Sequence, residues 1–376
     1  MRTRGGDTFG YGLIGCGTFG RFCLEHYAGL DDIVAVAAAD VDPNAVQVAA
    51  DRFGLAACAS IDELLSRDDV DVVHIATPPI THKDLALAAL NAGKHVLCEK
   101  PLATNLDDAR AMLAAARSAN KVLAVNLIMR YDPLCQVVKR ILDDGLLGEP
   151  LHAFFENYAG DEPLTRDHWF WKRPLSGGIF IEHGVHFFDL FRMWFGPGQV
   201  LAAQQSVRPN SDDVVEQAGC TVRYGTTLLV NFYHGFHQAA RMDRQEIRIV
   251  CERGSISLFE WVPTRIKIDC LADRATLDAL KAVVPHPQVE QCESYTTDQR
   301  RVTSRHKSYA VDGRFLIRGD TGMSKQQLYG HVLRSLLADQ LNAIRSSAHQ
   351  RLVSEENGLT SLEMAVCASE LTNQAP

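Results

Sequence analysis

The chain is 376 residues long, 46% hydrophobic and 22% charged, with a formal net charge of −8. That length accommodates two domains with cores of their own, and the composition is that of an ordinary soluble globular protein. The acidic balance argues against a nucleic-acid or anionic-membrane partner, which would want a basic face. The opening residues 1–7 are polar and lack the apolar stretch of a signal peptide, and no run approaches the roughly 18 apolar residues of a membrane span. The ten cysteines form no C-x-x-C pair and lie scattered, Cys16, Cys98 and Cys251 among them. Reduced, mostly buried thiols in a cytoplasmic protein are expected.

The first third alternates strand and helix patterns. "FGYGLI" (9–14), "IVAVAAA" (33–39), "VDVVHIAT" (70–77), "KHVLCEK" (94–100) and "KVLAVNL" (121–127) are continuously apolar, as strands covered on both faces are. Between them, Ser60-Ile61-Asp62-Glu63 has capping-box spacing. Thr81 is placed to cap "HKDLALAALNAG", which stops at Gly93 where a left-handed residue is wanted. This repetition predicts a parallel, doubly wound sheet. Beyond about residue 130 the runs 151–158, 214–223, 226–236 and 245–259 mix polar and apolar positions, with turn-like Tyr224-Gly225 and Arg253-Gly254. They predict a largely antiparallel sheet in a C-terminal α+β domain. Helical patterns are expected at 179–195 and about 325–346; the polar segment 270–322 yields no pattern. The expected division is a dinucleotide-binding domain over 1–128 and a substrate-binding and oligomerisation domain over 129–376.

"GCGTFG" follows the first strand and opens a helix. Gly15 permits the tight turn, Gly17 lets a pyrophosphate approach the backbone, and Gly20 lets helix and strand pack closely. Thr18 and Phe19 belong to the same cradle, at a helix N-terminus whose N–H groups suit phosphate. Asp40 ends the second strand, where a carboxylate can accept from ribose hydroxyls, and the following "VDPN" carries no cation for a 2′-phosphate. NAD is therefore expected over NADP. Thr77 and Pro78, with His82 behind them, and Glu99 and Lys100 lie at the carboxyl ends of the next strands, where an open α/β sheet binds its ligand. A surface ion pair is the plainer reading of Glu99-Lys100. Pro101 restricts Lys100 to extended geometry, and its peptide bond is a candidate for the cis form.

In "GGIFIEHGVHFFDLF" (177–191), Glu182 and His186 stand four apart on one helical face. A histidine with an ordinary pKa near ~6.5 suits proton transfer, predicting a rate limb near ~6–8, and a carboxylate one turn away can orient its ring. The competing reading is a core histidine satisfied by a neighbouring carboxylate. A metal held by Glu182, His183 and His186 is disfavoured, because adjacent helical positions point about 100° apart. His168, Trp169 and Trp171, with Arg166 and Arg173, make an approach rich in rings and donors, fit for a polyol or for sealing an interface. Arg130 and Tyr131 suit substrate contact or a hinge equally well.

"GLIGCGTFG", "HIATPPITH", "GKHVLCEKPLA" and "GGIFIEHGVHFFD" together resemble the Gfo/Idh/MocA family of sugar and cyclitol oxidoreductases, over about 9–260 and again in "VSEENGLTSLEMA". The resemblance implies that Lys100 of the E-K-P motif lies near the nicotinamide and the substrate hydroxyl. His186 matches the histidine of the family's D-x-G-x-H, Gly184 its glycine, and Asp189 a further acid. Glu182 replaces the usual aspartate, longer by one C–C bond of about ~1.5 Å. The activity implied is hydride transfer between NAD and a secondary hydroxyl or ketone of a sugar, sugar derivative or cyclitol. His186 would act as acid/base, Lys100 would polarise the oxygen and Glu182 would support them. Two alternatives are NAD-assisted glycoside cleavage without net oxidation and a dinucleotide-sensing regulator. The resemblance also implies a homodimer or homotetramer through the C-terminal sheet.

Overall fold

Residues 8–162, 164–211 and 213–372 are described by a computed structural model of the chain, so the polar start at 1–7 lies outside the described residues. The chain packs as two units, and neither is one continuous segment. The first comprises Met1–Ile128, His168–Asp189 and Gly330–Val366; the second comprises Met129–Asp167, Leu190–Tyr329 and Cys367–Pro376.

The first unit is built on β1 (Phe9–Ile14), β2 (Ile33–Ala39), β3 (Ala56–Ala57), β4 (Val72–Ile75), β5 (His95–Cys98) and β6 (Leu123–Val125). They form one sheet in the order β3-β2-β1-β4-β5-β6, parallel throughout. The expected strands are present, although 70–77, 94–100 and 121–127 pair only over their centres. Leu13, Val73, Leu97 and Ala124 are buried, as central strands covered on both faces require.

The helices are α1 (Thr18–Tyr27), α2 (Pro43–Phe53), α3 (Ile61–Leu65), α4 (His82–Asn91) and α5 (Leu106–Ser118). Ser60 caps α3 by accepting from Glu63 N at 3.1 Å. The Glu63 carboxylate accepts from Ala59 N, one residue short of a true capping box. Thr81 stands at the N-cap position of α4, but its side chain makes no capping bond. It closes a 3₁₀ turn, Pro79–Thr81, and its hydroxyl bonds Thr77 Oγ1 and Pro78 O instead. Gly93, at φ +74°, ends this helical stretch as expected.

The second unit opens with α6 (Pro133–Asp143) and β7 (Pro150–Gly160). α7 (Arg173–Ser176) and the opening of α8 (Val185–Phe195) belong to the first unit; β8 (Gly198–Val207), β9 (Val215–Tyr224), β10 (Leu228–Gln238), β11 (Arg244–Cys251), β12 (Gly254–Phe259) and β13 (Arg265–Ala272) follow in the second. The segment 270–322 then supplies α9 (Arg274–Val283), β14 (Gln288–Ser294), β15 (Arg301–Ser304), β16 (Lys307–Ala310) and β17 (Gly313–Asp320). The chain closes with α10 (Lys325–Arg345) and α11 (Glu355–Thr372), most of which belong to the first unit. Nine strands form one sheet, β14-β17-β13-β12-β11-β7-β10-β9-β8. Only β7 and β10 pair in parallel; the other pairs are antiparallel. One face is apolar, with Ala218, Cys220, Val222 and Tyr224 of β9 buried in alternation. Among the described residues no helix is long and apolar enough to cross a membrane.

Asp132 caps α6 by accepting from Leu134 N at 2.8 Å and Cys135 N at 3.1 Å. Its carboxyl is fully buried, and burial pushes its pKa up to about 7 against the pull of those donors. The folded state therefore holds this proton longer than the unfolded chain, so stability falls as pH rises from the ordinary carboxyl range toward about 7. Asp132→Asn keeps a capping oxygen without the charge. Thermal melting at pH 8 should show it more stable than the parent by about 1 kcal/mol or more, with the difference gone near pH 4.

Candidate active site

The turn after β1 is set by backbone demands. Gly15 has φ +99°, and a Cβ there would meet Ala76 O at 2.4 Å. A Cβ on Gly20 would lie 2.0 Å from Gly15 O, so α1 can pack this closely only on glycine. Gly17 is the N-cap of α1, has no side-chain cap, and faces open space. Thr18 and Phe19 are exposed beside it, Phe19 at 38%. An exposed helix N-terminus with nothing above Gly17 fits a dinucleotide's pyrophosphate. Asp40 Oδ2 accepts from Cys16 N at 2.6 Å and Oδ1 from Asp42 N at 2.9 Å, which fixes the carboxylate at the strand end. Two neighbours escaped the sequence reading: Arg21, whose guanidinium bonds Cys16 O, and Val41, 94% exposed. Arg21 lies one position beyond the motif, and Val41 reads as a strand-end residue, so neither carries a local signal.

The carboxyl ends of β4 and β5 carry the remaining expected residues of this edge. Thr77 is half-buried and Pro78 exposed. His82, expected to touch the cofactor, is instead fully buried, with Nδ1 2.7 Å from Pro101 O and Nε2 2.9 Å from Thr77 O. A neutral ring donates to one of these carbonyls, and burial lowers the histidine's pKa. It locks the two strand ends together. Glu99 also points inward, where it accepts from Asn126 Nδ2 at 2.7 Å and contacts His74 Nε2 at 2.9 Å. The Glu99–Lys100 surface ion pair is therefore not formed.

Lys100, joined to Pro101 by a cis bond, reaches Glu182 instead. Its ammonium donates to Glu182 Oε1 and, at 2.9 Å, to Glu182 O, with the two side chains 19% and 11% exposed. Gly177 and Gly178 turn the chain here at φ +83° and +94°, and a Cβ on Gly177 would strike Ile181 Cγ2 at 2.6 Å. Phe180–Gly184 then winds as a π-helix before α8, the wider turn that functional sites often use. Phe180, Phe187 and Phe188 anchor it in the core. The carboxylate expected to serve His186 thus faces Lys100.

His186 is 2% exposed, and burial first, then the Lys100 charge, holds its pKa well below 6.5. The limb expected near ~6–8 is corrected downward for that reason. His183 packs its ring 5.3 Å from Phe187, and Asp189 is buried. His168 accepts from Phe170 N at 3.2 Å and lies 5.3 Å from the Trp169 ring, both half-buried. Trp171 is 8% exposed and meets Phe170 edge-on, as a core residue does. Arg130 and Tyr131 lie in a 3₁₀ turn, Ile128–Tyr131.

A parallel sheet with an open glycine cradle and an acid at the second strand end has the features of a dinucleotide-binding fold, and a lysine–glutamate pair and a buried histidine lie at its edge. Residues 9–127 match the oxidoreductase family with an NAD-binding Rossmann fold, and 135–257 match the Gfo/Idh/MocA C-terminal domain. The chain belongs to the Gfo/Idh/MocA oxidoreductases. It is 30% identical over 277 residues to dTDP-3,4-didehydro-2,6-dideoxy-α-D-glucose 3-reductase of Saccharopolyspora spinosa, covering 71% of this chain and 82% of that one. With D-apiose dehydrogenase of Paraburkholderia graminis it shares 33% over 245 residues. That match covers 62% of this chain and 63% of the relative, so the chain spans less than two thirds of that relative's length. Among solved structures, the WlbA dehydrogenase from Bordetella pertussis, in complex with NADH and UDP-GlcNAcA, has the same fold at TM-score 0.77 and 19% identity, covering 99% and 97% of the two chains. Levoglucosan dehydrogenase in complex with NADH and L-sorbose gives 0.77 at 20% identity, covering 98% and 97%.

Proposed function

We propose that this protein is an NAD-dependent dehydrogenase or reductase that interconverts a secondary hydroxyl and a ketone on a sugar, sugar derivative or cyclitol. The observation that carries the reading is the pairing of Lys100 with Glu182, beside a buried His186 that feels the Lys100 charge. Gly15, Gly17, Thr18, Phe19 and Gly20 would hold the dinucleotide's phosphates and Asp40 its ribose; NAD, when bound, takes or gives the hydride. The chain's own groups handle the proton. His186 is neutral at physiological pH and can accept the hydroxyl proton on a ring nitrogen. Lys100 presents its side-chain nitrogen to the oxygen, and Glu182 fixes its direction as a positioning residue. His168 and Trp169, half-buried with ring faces and donors, are the better-placed candidates for a polyol; Trp171 is largely enclosed. The relatives named above act on sugars, which supports the substrate class. Screening NAD reduction over inositols, hexoses, glycosides and amino sugars tests the reading, and silence across the panel in both directions would overturn it.

Asp40 predicts the cofactor. A 2′-phosphate would meet like charge there, so NAD should bind at least about tenfold more tightly than NADP, with Asp40→Ser narrowing the gap. Fluorescence titration with both cofactors measures it, and equal affinities in the parent protein would remove the assignment.

The assembly is a homodimer or homotetramer through the outer face of the nine-stranded sheet. Phe154 and Tyr158 of β7 lie on that face, as does Leu229 of β10, 43% exposed. Light scattering of the pure protein should read more than one chain's 41.5 kDa. All ten cysteines are free, eight of them buried, which supports a reducing, cytoplasmic setting.

A further inference from the structure

Beneath the cofactor-binding edge, four buried polar side chains form one hydrogen-bonded row in an otherwise apolar core. Tyr11 comes from β1, His74 from β4, Glu99 from just beyond β5 and Asn126 from just beyond β6. These are four consecutive neighbours in the sheet. The register explains why the side chains meet. Leu13 pairs with His74, His74 with Leu97, and Leu97 with Ala124. Tyr11, Glu99 and Asn126 lie two residues from those partners, so all four side chains share one face. Cys23 of α1 closes over them, with Sγ 4.0 Å from Glu99 Oε1.

The donors and acceptors are matched in sequence. As a carboxylate, Glu99 only accepts, so His74 Nε2 carries a proton toward it at 2.9 Å. With the proton on Nε2, Nδ1 accepts, and Tyr11 OH donates to it at 2.5 Å. Asn126 Nδ2 donates to the same carboxylate oxygen at 2.7 Å. Asn126 N also bonds Cys98 O at 2.9 Å, and Glu99 N bonds Ile75 O at 3.0 Å, so side chain and backbone of this corner are tied together. Cys23, His74 and Glu99 have donor atoms within 4.8 Å of one another, the spacing of a metal site. Hydrogen bonding is the better account, because burial raises the Cys23 thiol well above its usual range and the histidine and carboxylate atoms already bond each other.

We propose that Tyr11, His74 and Asn126 are positioning residues: they hold Glu99 inward and so set the direction in which Lys100, the next residue, leaves the sheet toward Glu182. Glu99 and Lys100 share one short segment, and opposite ends of it are anchored, one in this row and one on Glu182. Loosening the row should misdirect the lysine without touching the glycine cradle or Asp40. This rests on the dehydrogenase reading for its kinetic part only.

The test uses the full chain with His74→Leu, His74→Gln and Tyr11→Phe. Gln supplies an amide donor toward Glu99, whereas Leu supplies none. Lys100 labelling by an amine reagent, read by peptide mass spectrometry without substrate or NAD, should quicken about fivefold in His74→Leu, the population change that losing one ordinary hydrogen bond allows. His74→Gln should return labelling most of the way to the parent rate. On a substrate found by the panel, kcat should fall about tenfold to a hundredfold in His74→Leu while NAD affinity holds, and should recover in His74→Gln. If His74→Leu does not fold, Tyr11→Phe, which removes one oxygen, should still quicken labelling. Unchanged Lys100 labelling in the folded variants overturns the proposal whatever the rates. Failure to find a substrate would count against the dehydrogenase reading and leave the labelling result standing.

Discussion

The Lys100→Met enzyme is expected to fold, to bind NAD as the parent does, and to turn over at least about a hundredfold more slowly. Methionine nearly fills the lysine's length but leaves Glu182 Oε1 and the Glu182 carbonyl without their ammonium donor. Both side chains retain some exposure, 19% and 11%, so water can replace the lost donor and the fold should survive. A second signature follows from the neighbouring histidine. The Lys100 charge is one of the two causes that hold the His186 pKa down, burial being the larger. Removing it should move any remaining acid limb of the rate upward in pH. Single-turnover rates, NAD titration and melting on the same samples check the three parts. A folded mutant with near-normal rate would return Lys100 to a structural ion pair with Glu182.

What the sequence made legible follows the burial pattern closely. β1 and β2 end where their apolar runs end, because each is covered on both faces and every residue position carries the signal. Within 245–259, Arg253-Gly254 reads as turn-like, and the chain does turn there, at Glu252 and Arg253 between β11 and β12. The stretch 270–322 is the opposite case. All seven residues of β14 are exposed at the sheet edge, and β15 and β16 form a small hairpin with no buried residue, so neither has an alternation to detect. At the site, the spacing of Glu182 and His186 was visible on one segment, but the choice of Lys100 over His186 as the carboxylate's partner depends on the π-turn at Phe180–Gly184. Tyr11 and His74 lie in two separate strands and Asn126 just past the end of a third. Only the parallel register brings them to Glu99, and His74 by itself reads as an ordinary member of an apolar run.

His186 and Glu182 give the second large effect and separate chemistry from scaffolding. The base must be neutral to accept a hydroxyl proton, so oxidation should proceed above the folded-state pKa of His186 and fail as pH falls through it. Burial and the Lys100 charge place that limb below the ordinary histidine range near 6.5. His186→Asn should abolish the limb and lower kcat about a hundredfold or more, with NAD affinity nearly unchanged. Glu182 then grades the outcome, because its carboxylate holds the lysine rather than the imidazole. Glu182→Gln keeps an acceptor for Lys100 but removes the charge, and should cost about tenfold in rate. Glu182→Asp keeps the charge with a reach shorter by about 1.5 Å, and should retain more of the rate than Gln if charge at the lysine matters most. A purely structural role for this segment predicts another pattern: lower melting temperatures in all three variants, with the rate per folded molecule intact. Melting and single-turnover measurements across pH distinguish the two, and intact rates in His186→Asn would remove the histidine from the chemistry.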